Sequence, residues 1–389
     1  MAKTAGNWGV TSVGVAFLAL QPQACRDEVV SHPLASETTL VETYLQEDVS
    51  SVVLEQLDQV DPQLDVLLQS LQELADDVDV QSSWDNAQSE WFNTMVLWQP
   101  LEMMQIASLG SSITAVGGED IRDNIYSWPL VNPCRIDQVT APMDYGKADF
   151  VETALVSVRG LDAMEHLLFG SLETDCPSQV PPVSDGSWSA LSDSEIRQRR
   201  VDYAIVLVKN IQENVDAAIS SWENGYPMDL YESPVKALNA VFDAMLYMEE
   251  GVKERKLSYP MGLTLDCDSD CSAEVEGVLA QVSIDFIVAN LQGMTLLLEG
   301  KESGGMLALL DSVGETELSE ELWSVHLQAV SEAEALKDAM LSMEELVEAQ
   351  PEELNTLLET ISTYTSLLKW DVAAVLEMQI PQSSAGDND

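Results

Sequence analysis

Apolar residues recur at steps of three and four along most of the chain, and this spacing constrains the fold more than any other feature. One segment shows the pattern with Trp84, Ala87, Trp91, Met95 and Trp98. Side chains spaced in this way lie on one face of an α-helix and are typical of the seam of a helical bundle. Strand patterns are nearly absent, so we predict an all-α fold with a core of packed antiparallel helices.

The stretch from residue 150 to 170 places acids where a helix should be apolar. On a helix that turns about 100° per residue, Glu165 falls in the middle of one apolar face, and Asp162 lies roughly 60° away toward its edge. The apolar residues of that face are Phe150, Ala154, Val158, Leu161, Met164 and Leu168. We call Asp162 and Glu165 the acid pair.

A buried ionised carboxylate is costly unless it gains a positive partner, a metal ion or a proton. One interpretation is that Glu165 makes a structural ion pair or hydrogen bond to a facing helix. The other is that Glu165 is the principal ligand of a metal ion and Asp162 the second, since a spacing of i to i+3 lets two side chains converge on one ion.

Five other polar residues form a second tier of candidates. Arg159 and His166 flank the acid pair and would orient its carboxylates. Arg135 and Asp137 follow a Trp-Pro step in irregular sequence, where ligand groups often lie, although a salt-bridged structural loop also explains them. Glu249 is a further acid on an apolar helical face and is a candidate to face the glutamate of the acid pair across a domain interface.

Pro, Ser and Gly are concentrated just before residue 186, as expected of a connection between two helical units. We therefore predict an N-terminal bundle over residues 37–186 and a C-terminal bundle over residues 187–380. The polar residues 381–389 are predicted to form a loose tail.

Residues 1–24 have the pattern of an export signal. Lys3 provides a positive start, residues 8–20 form an apolar core too short to span a membrane, and an Ala-Cys step ends the segment at Cys25. Cleavage before Cys25 would leave a lipid on that residue, whereas ordinary cleavage nearby is the alternative because the two residues before Ala24 fit the lipoprotein pattern poorly. Either cut predicts a mature chain in the cell envelope, on the periplasmic side, with a tether over residues 25–36. A lipid would anchor it to the outer membrane.

The other four cysteines fit a disulfide framework in an oxidising compartment. We predict that Cys267 pairs with Cys271 and Cys134 with Cys176, since both pairs lie in loop-like sequence. A metal site built from all four cysteines is the competing interpretation, but only one short spacing is present where such sites normally have two.

The charge balance excludes some partners. The chain has 17 basic and 67 acidic residues and a formal net charge of −50. This excess argues against binding to nucleic acid, which needs local positive charge, and against a polybasic contact with anionic lipids. Any membrane contact is therefore expected only through a lipid on Cys25. The acidic excess fits a solvated surface for a salty medium, or a patch that recruits cations.

The stretch that carries the acid pair resembles the signature of the imelysin family, Gly-x-His-x-x-Glu with a Leu-Leu-Phe-Gly-like ending. Gly160, Glu165 and residues 167–170 match it. Asp162 stands in place of the motif histidine, which leaves an oxygen ligand there. His166 is out of register with that position.

Other blocks are similar to the same family. They are the Trp-x-x-Ala-x-x-x-Trp opening at residues 84–91, where Gln88 replaces a basic residue, the Trp-Pro block at residues 125–137, and Lys-Leu-x-x-Pro-x-Gly at residues 256–262. The resemblance covers most of the mature chain and implies two side-by-side bundles with the motif near their interface. It also implies a role in iron uptake, with iron-uptake components of the envelope as partners. Oxygen ligands suit a hard cation such as iron or calcium.

The family carries a peptidase label that the motifs of this chain do not support. Its histidines are His32, His166 and His326, and none belongs to a His-Glu-x-x-His zinc motif. No Gly-x-Ser-x-Gly elbow, phosphate loop or dinucleotide fingerprint occurs either, so we assign no catalytic residue. A structural or partner-docking protein without a ligand site is the main alternative to a binding protein, and a metallopeptidase is the third interpretation.

Overall fold

A computed structural model describes residues 32–265, 267, 271–272 and 274–381. The predicted signal segment and Cys25 lie outside the described residues, as do the last eight residues of the predicted tail. The predicted tether is described only from His32. Its end forms the 3-10 turn Pro33–Ser36, in which Leu34 is buried in the main hydrophobic core.

Every regular element of the described residues is helical, which confirms the all-α prediction. The α-helices are α1 (Thr38–Thr43), α2 (Ser50–Asp76), α3 (Gln81–Glu102), α4 (Ile121–Ile125), α5 (Pro133–Thr140), α6 (Phe150–Thr153), α7 (Gly160–Phe169), α8 (Asp193–Trp222), α9 (Pro234–Met245), α10 (Ser283–Glu299), α11 (Gly305–Ser312), α12 (Thr316–Lys337), α13 (Met343–Ala349), α14 (Pro351–Ser366) and α15 (Ala373–Val375). The π-helical segments are Tyr44–Val49, Met248–Ser258 and Leu367–Val372.

The long helices bury the apolar faces that the spacing of three and four residues predicts. In α3 the residues Ala87, Trp91, Met95 and Trp98 are all buried, and they belong to the main hydrophobic core. Helix α8 begins at a capping box, because the Ser192 hydroxyl accepts the Glu195 N–H and the Glu195 carboxylate accepts the Ser192 N–H.

Helix α3 connects two groups of packed helices. Helix α2 packs against α3 and α8, while the other side of α3 packs against α10, which continues to α12 and then α14. This arrangement is compatible with two bundles. Helix α8, which follows residue 186 in sequence, packs on α2, which precedes it. The division of the chain at residue 186 stays a prediction.

The prediction of one helix from Phe150 to Leu168 is wrong. Helix α6 ends at Thr153, a 3-10 turn follows at Val156–Val158, and α7 begins only at Gly160. Gly160 has a φ of +85°, and a Cβ atom there would lie 2.6 Å from the Ile125 carbonyl oxygen. The glycine of the motif therefore permits both the turn into α7 and the close approach of α4.

Both predicted disulfides, Cys134–Cys176 and Cys267–Cys271, are present. Within the described part of the chain, no helix is both long enough and apolar enough to span a bilayer.

Candidate functional site

Polar side chains of the long helices fix α7 in place. The Trp91 indole N–H and the Gln88 amide, both on α3, donate to the carbonyls of Leu161 and Leu168, each at 2.8 Å. The Arg200 guanidinium of α8 donates to the carbonyl of the glycine that follows α7, also at 2.8 Å. A cation at this end also complements the helix dipole. Gln88, which replaces the basic residue of the family pattern, therefore holds the motif helix directly.

Asp162 is buried on the first turn of α7, with 3% of its surface exposed. Its Oδ2 accepts a hydrogen bond from the Ser127 hydroxyl at 3.0 Å, and its Oδ1 accepts the Ala163 N–H at 3.0 Å. Both donors are neutral. Burial raises the pKa of Asp162 to about 7, because these donors offset only part of the cost of removing the carboxylate from water.

Glu165 lies one turn further along α7 and is partly buried. Its Oε1 accepts the backbone N–H groups of Leu279 and Ala280 at 2.9 and 3.0 Å, and its Oε2 makes no hydrogen bond with a described residue. Burial, with a smaller contribution from the nearby carboxylates of Asp162 and Glu276, raises the pKa of Glu165 to about 7. Glu165 thus binds the loop before α10 through Oε1, and Oε2 has no hydrogen-bond partner among the described residues.

A buried lysine lies at the centre of a separate polar network, which we call the lysine network. The Lys256 ammonium contacts four oxygen atoms, those of Gln99 (2.9 Å), Glu102 (2.9 Å), Asn290 (2.7 Å) and Glu276 (2.7 Å). These residues come from α3, the π segment Met248–Ser258, the loop before α10 and α10 itself. The network therefore joins the two groups of helices beside α7.

The two acids of the lysine network differ in charge balance. Burial disfavours ionisation of Glu102, yet Lys256 and Arg122 together hold its pKa below the usual range. Burial and the nearby Glu102 raise the pKa of Glu276, which among the described residues forms an ion pair with the shared lysine alone. Tyr126 donates to Glu276 at 2.6 Å and further satisfies that carboxylate.

The remaining buried acids also have compensating partners. Glu249 pairs with Lys253 at 3.0 Å and with Lys369 at 3.8 Å. Asp48 accepts three backbone N–H groups of the loop that follows α10, which contribute to a lowered pKa. Asp162 differs from Glu102, Glu249 and Glu276, because no lysine, arginine or histidine of the described chain lies within 4.0 Å of its carboxylate. It differs from Asp48, which also has no such cation, because the donors of Asp48 lower its pKa whereas the pKa of Asp162 is raised.

The second-tier residues do not gather around the acid pair. Arg159 donates to the Val151 carbonyl and to Asn124, at 2.7 and 2.9 Å, rather than to Asp162 or Glu165. Arg135 is exposed and donates a hydrogen bond to the side-chain oxygen of Gln138, which also lies on α5. Glu249 was a candidate to face Glu165, but it instead forms ion pairs with two lysines.

His166 and Asp137 meet in a second group with Asp175, a residue that sequence reasoning missed. The His166 Nε2 lies 3.2 Å from Asp137 Oδ1, and its Nδ1 lies 3.7 Å from Asp175 Oδ2. These three residues offer ligand atoms within 4.8 Å of one another, and Asp175 is exposed, so the donors are compatible with a metal ion. However, Arg200 lies 3.7 Å from Asp137 Oδ1, and the Asp175 N–H donates to Asp137 Oδ2 at 3.0 Å. The buried charge in this group is therefore already balanced.

The acid pair differs from this second group in its donors and its charge balance. Its ligand atoms are carboxylate oxygens alone, which hard cations prefer. The Arg122 charge lowers the pKa of Asp162, but burial outweighs it. Fold and site together define an all-helical protein with two acids of raised pKa on a short helix that packs against α3 and α8.

The chain belongs to the imelysin family, whose sequence profile matches residues 53–368. No curated protein matches the chain significantly. Among solved structures, the chain is similar to an imelysin-like protein from Psychrobacter arcticum 273-4, with 16% sequence identity and a TM-score of 0.66. The alignment covers 88% of this chain and 98% of that protein, so the likeness establishes a shared fold over nearly the whole length.

Proposed function

We propose that this chain is an exported imelysin-family protein of the cell envelope that binds a metal ion or small ligand in connection with iron uptake. The ligand would lie at the acid pair, Asp162 and Glu165. The observation that carries the proposal is that these neighbouring acids have neutral hydrogen-bond donors but no cation of the described chain within 4.0 Å, and that burial raises the pKa of both. The other buried acids are compensated within the described structure.

A cation would remove the cost of ionising the acid pair. Burial raises the pKa of both groups to about 7, so near neutral pH each carries a proton part of the time. A bound metal ion would displace those protons, and the affinity would rise with pH through this range. The Glu165 Oε2, which makes no hydrogen bond in the described structure, would be the first oxygen to reach the ion. Iron, calcium or manganese suits such oxygen ligands.

Export and the link to iron uptake have separate support. The two disulfides fit an oxidising compartment outside the cytoplasm, which agrees with the export signal expected over residues 1–24. The link to iron uptake comes from the family resemblance. Growth in iron-limited medium of cells that lack this protein, with and without the gene restored, tests this part separately from metal binding.

Isothermal titration with Fe²⁺ under anaerobic conditions, Ca²⁺ and Mn²⁺ tests the site. We expect one of these ions to bind the wild type and to bind Glu165→Gln at least about 10-fold more weakly, because a neutral amide cannot replace the charged ligand. Asp175→Asn is the matched control, since it removes an acid from the other metal-compatible group. Equal binding by the wild type and Glu165→Gln, or binding lost only in Asp175→Asn, contradicts the proposed site. So does the absence of binding by the wild type.

A structural role is the second candidate, and one contact favours it. Glu165 accepts two backbone N–H groups of the loop before α10, which is sufficient reason for an acid at this position. In that case Glu165→Gln lowers the thermal unfolding temperature and changes no ligand response. The titration and the unfolding measurement on the same variant therefore separate the two functions.

A further inference from the structure

A cavity of about 670 Å³ lies away from the acid pair, between α9, the loop around residues 105–116 and the C-terminal stretch at Gln379 and Pro381. Its volume is within the range of small-molecule sites. The imelysin motif contributes no residue to it, and neither does the lysine network.

One face of α9 and the residues that follow it line the cavity. The lining positions recur at steps of three and four and are Lys236, Asn239, Ala240, Asp243, Ala244, Tyr247 and Glu250. Their charges are spread along the helix axis: Asp243 lies seven residues, or about 10 Å, beyond Lys236, and Glu250 lies a similar distance further on.

Asp243 is an acid of this cavity without an ion pair to a described residue, and Lys236, seven residues earlier in the lining, has no such pair either. Its carboxylate accepts a hydrogen bond from the Asn239 amide at 3.1 Å, and no cation of the described chain lies within 4.0 Å of it. Asp243 is exposed at the mouth of the cavity, and partial burial of its carboxyl group raises its pKa to about 6. Glu250, by contrast, is paired with Arg255 at 2.8 Å.

The walls on either side of Asp243 are largely apolar and aromatic. Ile106, Ala107 and Ala244 are buried in the wall, and Val116 is 51% exposed at its edge. The rings of Tyr231 and Tyr247 also line the space. Aromatic rings attract cations, and the Tyr247 ring already does so within the protein, since the Arg122 guanidinium lies 5.7 Å from its centroid.

We propose that this cavity binds a small organic cation with an apolar body, its ammonium group paired with the Asp243 carboxylate. The apolar part would lie against Ile106, Ala107 and Ala244. The net charge of −50 also attracts cations to the protein from a distance. Residues 382–389 contain Asp387 and Asp389 but no lysine, arginine or histidine, so no side chain of this segment provides an ammonium group.

Three probes of similar shape test this site by isothermal titration: 4-phenylbutylamine as the cation, 4-phenylbutan-1-ol as the neutral analogue and 5-phenylpentanoic acid as the anion. At pH 8 we expect the amine to bind the wild type at least about 10-fold more tightly than the alcohol, because it gains a charge-assisted hydrogen bond. Asp243→Asn should bind the amine and the alcohol equally. Asp58→Asn, which removes an exposed acid of α2, is the matched control and should keep the preference.

Two further measurements make the test complete. Lowering the pH from 8 to 5 should remove the preference for the amine in the wild type, since Asp243 becomes protonated. Ala240→Phe, which fills the space without changing a charge, should weaken all three probes. No amine binding by the wild type, equal affinity for the amine and the alcohol, an unchanged preference in Asp243→Asn, or tighter binding of the anion through Lys236 would each overturn the proposal.

Discussion

Replacing Asp162 with Asn should raise the free energy of unfolding of the ligand-free protein, and this increase should become larger as the pH rises. The pKa of Asp162 is about 7 in the folded protein, against 3.8 for an unperturbed aspartate. The folded state therefore holds this proton more tightly than the unfolded chain does. Between about pH 4 and about pH 7 unfolding releases the proton, so the free energy of unfolding falls as the pH rises through this window.

The size of this effect follows from the shift. A shift of about three pKa units, at about 1.4 kcal/mol each, lowers the free energy of unfolding of the wild type by about 4 kcal/mol once the pH is above the pKa of Asp162 in the folded protein. Asn resembles the protonated acid: its amide can donate to the Ser127 hydroxyl, which in turn donates to the Val156 carbonyl. The substitution thus removes the titration while it retains the hydrogen bonds.

The assay is urea unfolding of the wild type and Asp162→Asn at pH 5 and pH 8, with a chelator present. We expect the stability difference in favour of Asp162→Asn to widen by about 3 kcal/mol between the two values, because Asp162 titrates only in the wild type. The exposed substitution Asp58→Asn should show no such widening. Parallel pH profiles for the wild type and Asp162→Asn would refute the view that Asp162 is buried without compensation.

Four shorter predictions concern the fold and the site. Gly160→Ala should lower the free energy of unfolding by about 1–3 kcal/mol, because its φ is +85° and its Cβ would meet the Ile125 carbonyl; unchanged urea unfolding would contradict this. Lys256→Met should lower the free energy of unfolding by about 3–5 kcal/mol in the same assay, because two buried carboxylates of the lysine network lose their shared cation. An unchanged free energy of unfolding would show that water reaches the network. Removing the Cys134–Cys176 disulfide by a double change to Ala should lower stability by about 2–4 kcal/mol, since the bridge closes a loop of 42 residues; the thermal unfolding temperature should fall accordingly, and an unchanged value would argue against this bridge. If a metal ion binds the acid pair, its affinity should drop steeply from pH 8 to pH 6 as the carboxylates take up protons, and a flat titration series would place the ion elsewhere.

Local pattern was a good guide to some parts of the site. The spacing of apolar residues predicted an inward-facing α7 and marked Glu165 and Asp162 as acids that need compensation. It failed at the start of that helix, because apolar residues before Gly160 continue the helical period although the backbone leaves it. Periodicity records which side chains are apolar and does not register a glycine whose backbone must turn around a neighbouring carbonyl.

The lysine network and Asp175 were missed for a different reason. Lys256 stood in a block that resembles the imelysin family, which was the one available signal, but nothing near it in sequence identifies its partners. Glu102 lies 154 residues away and Asn290 lies 34 residues away. Such partners become neighbours only when α3, the π segment Met248–Ser258 and α10 have packed.

The sequence by itself determined the all-helical class, the inward stripes and the pairing of the cysteines, because each depends on spacing along a short stretch or on a small number of reactive side chains. Tertiary structure alone decided which acids are compensated. Glu102, Glu249 and Asp137 obtain cations from helices or segments that pack against their own, whereas Asp162 obtains only a serine hydroxyl and a backbone amide. The energy of a buried charge depends on the groups within a few ångströms, and only packing brings those groups together.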